Sequence, residues 1–278
     1  MTLRTQFNDS LKDAMRAKDQ RAVSTIRMIL AGLKDRDIAA RTRGVTDGID
    51  EAEDAAEGRG KSIRVGQLLS AMRQTDRVRE IAELAVAYRD RGVVGFDTAG
   101  PEAGFPSSRY RETFDYLARQ MFPATVHAGE AAGPDSIRSA LVDGRALRLG
   151  HGVRIAEDLE IVNRDGEEVQ VRFGDLGRWV RDREIPLELS PSSNLQTGAI
   201  AAWGTEFADH PFDLLYQRGF AVTVNVDNRT MSATSLMREM ALLVDAFGYD
   251  LEDLESFQFN AAAGAFLRLV AGDFTWTL

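Results

Sequence analysis

The sequence predicts an α/β fold: an incomplete (β/α)8 TIM-type barrel with six of eight strand units, preceded by an N-terminal helical hairpin. Three observations lead there. From residue 62 onward, short apolar runs alternate with amphipathic helical stretches, the pattern of a parallel sheet with right-handed crossovers. No glycine-rich loop follows the first run, in "VGQLLSAMRQTD", as an open dinucleotide-binding sheet would require. Polar residues instead close run after run: Asp97, His127 with Glu130, His151, Asn194 and Asp227. A barrel gathers the C-terminal ends of its strands into one site.

Residues 1–45 read as the hairpin. Leu3, Phe7, Leu11 and Met15 recur at helical spacing, as do Ile26, Ile29, Leu30 and Leu33, with a break near Lys18-Asp19-Gln20. "RTRGVTDGIDEAEDAAEGRG" follows at 41–60, with six acids, several glycines and few large apolar residues. It reads as a linker, and the domain boundary is set at 46–61. The barrel segment covers 62–278. Its candidate strands are "IRVGQLL" (63–69), "VVGFDTA" (93–99), "ATVHA" (124–128), "LRLGH" (147–151), "PLELS" (186–190) and "AVTVNVD" (221–227). "DRVREIAELAVAYRDRG" and "SSRYRETFDYLARQMF" are two of the intervening amphipathic helices. "NRDGEEVQVRFGD", after the fourth strand, carries an Asp-Gly turn and reads as a small hairpin.

The composition bounds the function. Of 278 residues, 44% are hydrophobic and 28% charged, enough to fill a core and keep the surface wet. No run of about 18 apolar residues occurs, the N-terminus lacks a signal-peptide core, and a cytoplasmic location is expected. There are no cysteines, which excludes disulfides and thiolate-bound zinc. The net charge of −9 is uneven. Residues 1–45 hold ten Lys or Arg against five Asp or Glu, and three of the four lysines fall in the first 34 residues.

The histidines carry the chemistry. Gly129 lets the chain turn between His127 and Glu130. His151 lies between two glycines in "RLGHG", whose lack of side chains argues against a packing role. Asp227 ends an apolar run; alone it would read as the N-cap of a following helix. Imidazoles and acids at three strand ends suit metal-assisted hydrolysis: an imidazole and a carboxylate can hold Zn²⁺, which lowers the pKa of bound water toward ~7.

"GFDTAGPEAGFP", "HAGE", "RLGHG", "LELSPSSNLQTGA", "HPFDLL", "VTVNVDNRTMS" and "LMREMALLVDAFG" occur in that order between residues 95 and 248. With them the segment from about 62 to 268 resembles the adenosine deaminases. The resemblance implies a zinc-activated water attacking C6 of adenosine, giving inosine and ammonia. It implies His127 and Asp227 as zinc ligands, Glu130 as the proton donor to purine N1, and His151 as the group aligning the water. Gly100 would contact the purine through its backbone and Asn228 would lie at the purine edge. His210 would be structural. "LKDAMRAKDQRAVSTIRMILAGLKDRDIAAR" resembles the start of a GatB/YqeY-type protein.

The sequence departs from the deaminase pattern in one respect that bears on chemistry. The family's first strand carries an H-x-H pair that supplies two more zinc ligands, and no H-x-H occurs here. Ser190 stands where the family often has cysteine, and Val226 where it usually has threonine. A weak or incomplete zinc site follows, with unpaired sheet edges that favour self-association. The expected partner is a purine nucleoside, adenosine, adenine or another aminopurine; no DNA and no membrane are expected. The alternative is a non-catalytic fusion or relic whose helical N-terminus binds a partner such as tRNA, although two short helices make a poor RNA site.

Overall fold

The computed structural model describes residues 12–13, 15–18, 65–165 and 168–267. Lys12, Asp13, Met15 and Arg16 are helical. Arg16 pairs with Asp13 at 3.0 Å on an exposed surface, an ion pair worth little. The rest of the expected hairpin, the 46–61 linker and the first two residues of the first expected strand lie outside the described residues. Contacts group Leu69–Val86 with Gly95–Leu278 in one compact unit, and Met1–Leu68 with Ala87–Val94 in another. In the smaller unit Gln67 N donates to Gly92 O at 2.9 Å.

Six strands form one sheet: β1 (Gln67–Met72), β2 (Val93–Ala99), β3 (Ala124–Ala128), β4 (Arg148–His151), β7 (Leu187–Leu189) and β8 (Val222–Val224), in that spatial order. β2–β3, β3–β4, β4–β7 and β7–β8 pair in parallel. Arg73 N, just past β1, donates to Ala99 O, the last residue of β2, at 2.9 Å. The crossover helices include α1 (Val78–Ala87), α2 (Arg111–Arg119), α3 (Pro134–Val142), α4 (Asp175–Asp182), α5 (Pro191–Gln196) and α6 (Phe212–Gln217). After β8 come α7 (Arg229–Ser232), α8 (Leu236–Phe247) and α9 (Leu251–Ala263). β5 (Leu159–Asp165) and β6 (Glu168–Phe173) form the separate antiparallel hairpin expected from the Asp-Gly turn. This α/β sheet is the six-unit part of a barrel.

The strands have two unlike faces. Phe96, Val126, Leu149, Leu187, Leu189, Val222 and Val224 are buried, together with Phe114, Leu117 and Ile137 of α2 and α3. Phe96 meets Phe114 edge-on, with ring centroids 6.1 Å apart. Each such side chain contributes about 1.5–3 kcal/mol by leaving water. On the alternate positions Thr125 Oγ1 donates to Glu188 Oε2 at 3.2 Å, and Arg148 pairs with Glu188 at 2.7 Å. The period-2 alternation therefore gives one apolar face and one polar face.

Three expected strand ends shift, and the last three strands each start one residue later than expected. The first strand runs to Met72, because Leu69 and Ala71 alternate as buried positions beyond the expected end. The fifth stops at Leu189, because Pro191 sets the first turn of α5 one residue after Ser190. Asn194 consequently lies on a helix, not at a strand end. The sixth stops at Val224; Asn225 N adds one more bond to Leu189 O at 2.8 Å, and Asp227 then turns to φ 46°.

Candidate active site

His127 and His151 stand at the ends of adjacent strands. The β3–β4 register pairs His127 with Gly150 and Ala128 with His151. Gly150 makes room: a Cβ there would lie 2.9 Å from His127 Nδ1. The two imidazoles meet edge-on with centroids 5.3 Å apart. His151 is buried at 4% exposure and holds φ 62°, a left-handed conformation that costs about 1–3 kcal/mol outside glycine and clusters at functional sites. Asp227, at φ 46°, is in the same region.

Asp97 orients His127. Its Oδ1 lies 2.9 Å from His127 Nδ1, and its Oδ2 accepts from Ser70 Oγ. Burial alone would raise the Asp97 carboxyl, but His127, Ser70 and Arg73 together hold it below the usual carboxylate range. Burial likewise opposes charge on His127, yet the Asp97 charge and hydrogen bond, with Glu188 beyond, push its pKa up to about 9. Nε2 is the nitrogen left for a ligand. Arg73, almost fully buried past the end of β1, donates to Thr98 O at 3.4 Å and to His127 O, and Tyr110 OH donates to Arg73 O.

Glu130 lies in the loop after β3, and its Oε2 is 3.5 Å from His151 Nε2. That loop is clamped by Glu102. The Glu102 carboxylate accepts the backbone N–H groups of Gly129 at 2.6 Å, Glu130 at 3.1 Å, Ala131 at 2.7 Å and Ala132 at 2.9 Å. Gly129 is required here: φ is 74°, and a Cβ would fall 2.6 Å from Ile137 Cδ1. Burial pushes the His151 imidazole below its ordinary value, although Glu130 opposes the shift.

Asp227 is fastened by Ser193, whose Oγ donates to Oδ2 at 2.7 Å. Ser193 is positioned by α5, whose start is tied to α8 by the buried Glu239. That carboxylate accepts from Ser192 N at 3.0 Å and from the hydroxyls of Ser192 and Thr234. The N-cap of α7 is Asn228: its Oδ1 accepts from Thr230 N and Met231 N, both at 3.2 Å. The capping that the sequence offered to Asp227 thus falls one residue later. The Asn228 side-chain oxygen is thereby engaged by the α7 backbone. Gly100 follows β2 at φ 90°, where a Cβ would meet Gln74 Oε1 at 2.6 Å.

The site therefore brings together His127, Glu130 and His151, with Asp227 close enough to His151 to act on its charge. Sequence reasoning missed Arg73, Glu102, Ser193 and Glu239. The only local signal for Glu102 was an acid inside the Gly-Pro-rich stretch "AGPEAG".

A family model described as adenosine deaminase matches residues 14–270. Adenosine deaminase 1 of Streptomyces coelicolor is 52% identical over 223 residues, which cover 80% of this chain and 54% of that protein. The chain spans a little over half the length of the curated relatives it matches. Adenine deaminase from Arthrobacter aurescens superimposes with a TM-score of 0.63 at 22% identity, over 82% of this chain and 65% of the other. An amidohydrolase from Burkholderia ambifaria, solved with bound zinc, gives a TM-score of 0.61 at 21% identity, over 79% and 57%. These two likenesses establish the shared fold. Among the described residues no helix is long and apolar enough to cross a membrane.

Proposed function

The chain belongs to the adenosine deaminase family, and from that premise we propose that its site serves hydrolytic deamination of an aminopurine nucleoside, adenosine to inosine and ammonia. The observation that carries this reading is the meeting of Glu130 with His151 beside the Asp97-oriented His127. Glu130 protonates purine N1. His151 faces the attacking water through Nε2. The Gly100 backbone and the Asn228 amide border the purine.

Zinc is the cofactor the family implies. His127 and Asp227 supply two donors, whereas a catalytic zinc takes three protein ligands and a water. Among the described residues no cluster of three or more His, Asp or Glu could hold a metal. The donor set does not fit a complete catalytic zinc site. The proposal is accordingly a substrate-facing half of a deaminase site, with weak metal affinity and feeble turnover in this chain alone.

Metal analysis of the purified chain beside an adenosine-to-inosine absorbance assay tests it. The expected result is substoichiometric zinc and little inosine, with His127→Ala and Asp227→Ala each abolishing the residual metal. Glu130→Gln spares the metal and removes any turnover. Tight stoichiometric zinc with rapid deamination would overturn the half-site reading. No binding of a purine nucleoside at millimolar concentration would overturn the substrate assignment and favour a non-catalytic role.

A further inference from the structure

His210 and Asn194 are buried at 2% and 0% exposure, and neither belongs to the acid or metal-ligand set. They nevertheless form an unbroken chain to His151. The chain starts at a group that can only donate: Phe212 N–H gives its hydrogen to His210 Nδ1 at 3.0 Å. His210 Nδ1 accepts that bond and so carries no proton, which makes the ring neutral. Its single ring proton must then sit on Nε2, which lies 3.3 Å from Asn194 Oδ1. A second obligatory donor fixes the asparagine the same way round: Ser190 N–H also points to Oδ1, at 3.3 Å. The Asn194 amide nitrogen therefore faces His151 Nδ1, at 2.9 Å, and donates to it. A ring nitrogen that accepts carries no proton.

We infer that His210 and Asn194 form a hydrogen-bond relay that holds His151 with its proton on Nε2, the nitrogen facing Glu130. His210 is then a positioning residue for the site. The chemical consequence rests on the proposed deaminase reading: with Nε2 already carrying a proton, His151 aligns an oxygen by donating to it and does not act as the base that deprotonates water. The tautomer itself rests on hydrogen-bond directions alone, set at both ends by backbone N–H groups.

The full chain has three histidines, so ¹⁵N-histidine NMR resolves each ring. Assignment uses His127→Gln and His210→Gln. The expected wild-type spectrum has His151 protonated at Nε2 and unprotonated at Nδ1. Asn194→Asp keeps the acceptor for Ser190 and His210 but replaces the donor toward His151 by an acceptor. The His151 proton should move to Nδ1, and any measurable deamination should fall ~10- to 100-fold. His210→Leu should leave His151 in exchange between tautomers, and His210→Gln, which retains a donor, should restore one. A wild-type proton on Nδ1, or an unchanged His151 signal in both Asn194→Asp and His210→Leu, would overturn the relay. Absence of deamination in every protein would count against the functional reading while leaving the NMR result decisive for the relay.

Discussion

Glu102 shows how one residue can set the position of another without touching substrate. Four backbone N–H groups converge on its carboxylate, and hydrogen bonds to a charged acceptor contribute about 1.5–3 kcal/mol each before non-additivity. Glu102→Gln retains one acceptor oxygen and loses the charge. The amides of residues 129–132 should then exchange with deuterium ~10-fold faster or more, while α9 amides stay protected; equal exchange in both proteins would rule out the clamp. His210 offers a pH test. Its folded pKa is depressed to about 3 against ~6.5 unfolded. Below pH ~6.5 the unfolded chain takes a proton that the folded chain refuses, so stability should fall by about 1.4 kcal/mol per pH unit down to about pH 3. Urea unfolding at pH 7, 6 and 5 measures this slope, which should shrink in His210→Gln. His127, His151 and Asp227 were legible because each closes an apolar run. Glu102 and Ser193 were not, because their partners lie 27 to 30 and 34 residues away, a separation that local pattern cannot convey.

At the level of elements, periodicity located the strands but not their ends. β7 and β8 have three residues each, since proline at the start of α5 and the left-handed turn at Asp227 interrupt the extended backbone. The "RLGHG" glycines were read as freeing His151 from packing. His151 is in fact buried, Gly150 lets the β4 backbone approach the His127 ring, and Gly152 leaves room for Leu187. Gly150→Ala tests this: the added methyl would press on His127 Nδ1, so a destabilisation of about 1–3 kcal/mol is expected, with loss of the Asp97–His127 hydrogen bond in the NMR spectrum. Glu239 links α8 to α5 and through it holds both Ser193 and Asn194. Glu239→Ala leaves the buried Thr234 hydroxyl and the half-buried Ser192 N–H and hydroxyl unpaired. A cost of about 1–3 kcal/mol is expected, read from the denaturant midpoint. A change below 1 kcal/mol would mean that α5 is anchored elsewhere.

For the whole molecule, the decisive quantity is what the sheet leaves unpaired. The hydrogen-bonded order runs from β1 to β8, and among the described residues no ladder joins those two strands. Their edges differ. On β8, Asn260 Nδ2 from α9 donates to Val222 O at 3.0 Å, which occupies one outward carbonyl. On β1 the odd-numbered positions bond toward β2, as at Arg73 N to Ala99 O, so Ser70 and Met72 turn their backbones outward. Met72 O is taken by Thr75 N at 3.0 Å, and among the described residues no strand pairs with the outer side of β1. Both side chains are exposed, Met72 at 44%. An edge of this kind templates pairing with another chain unless a charge blunts it. We propose that the chain self-associates through β1. Sedimentation equilibrium should show an apparent mass rising above 30.7 kDa as concentration increases. Met72→Lys, which adds a charge at the edge without altering the Ser70–Asp97 hydrogen bond, should return the protein to a monomer. A wild-type monomer at every concentration would overturn the proposal.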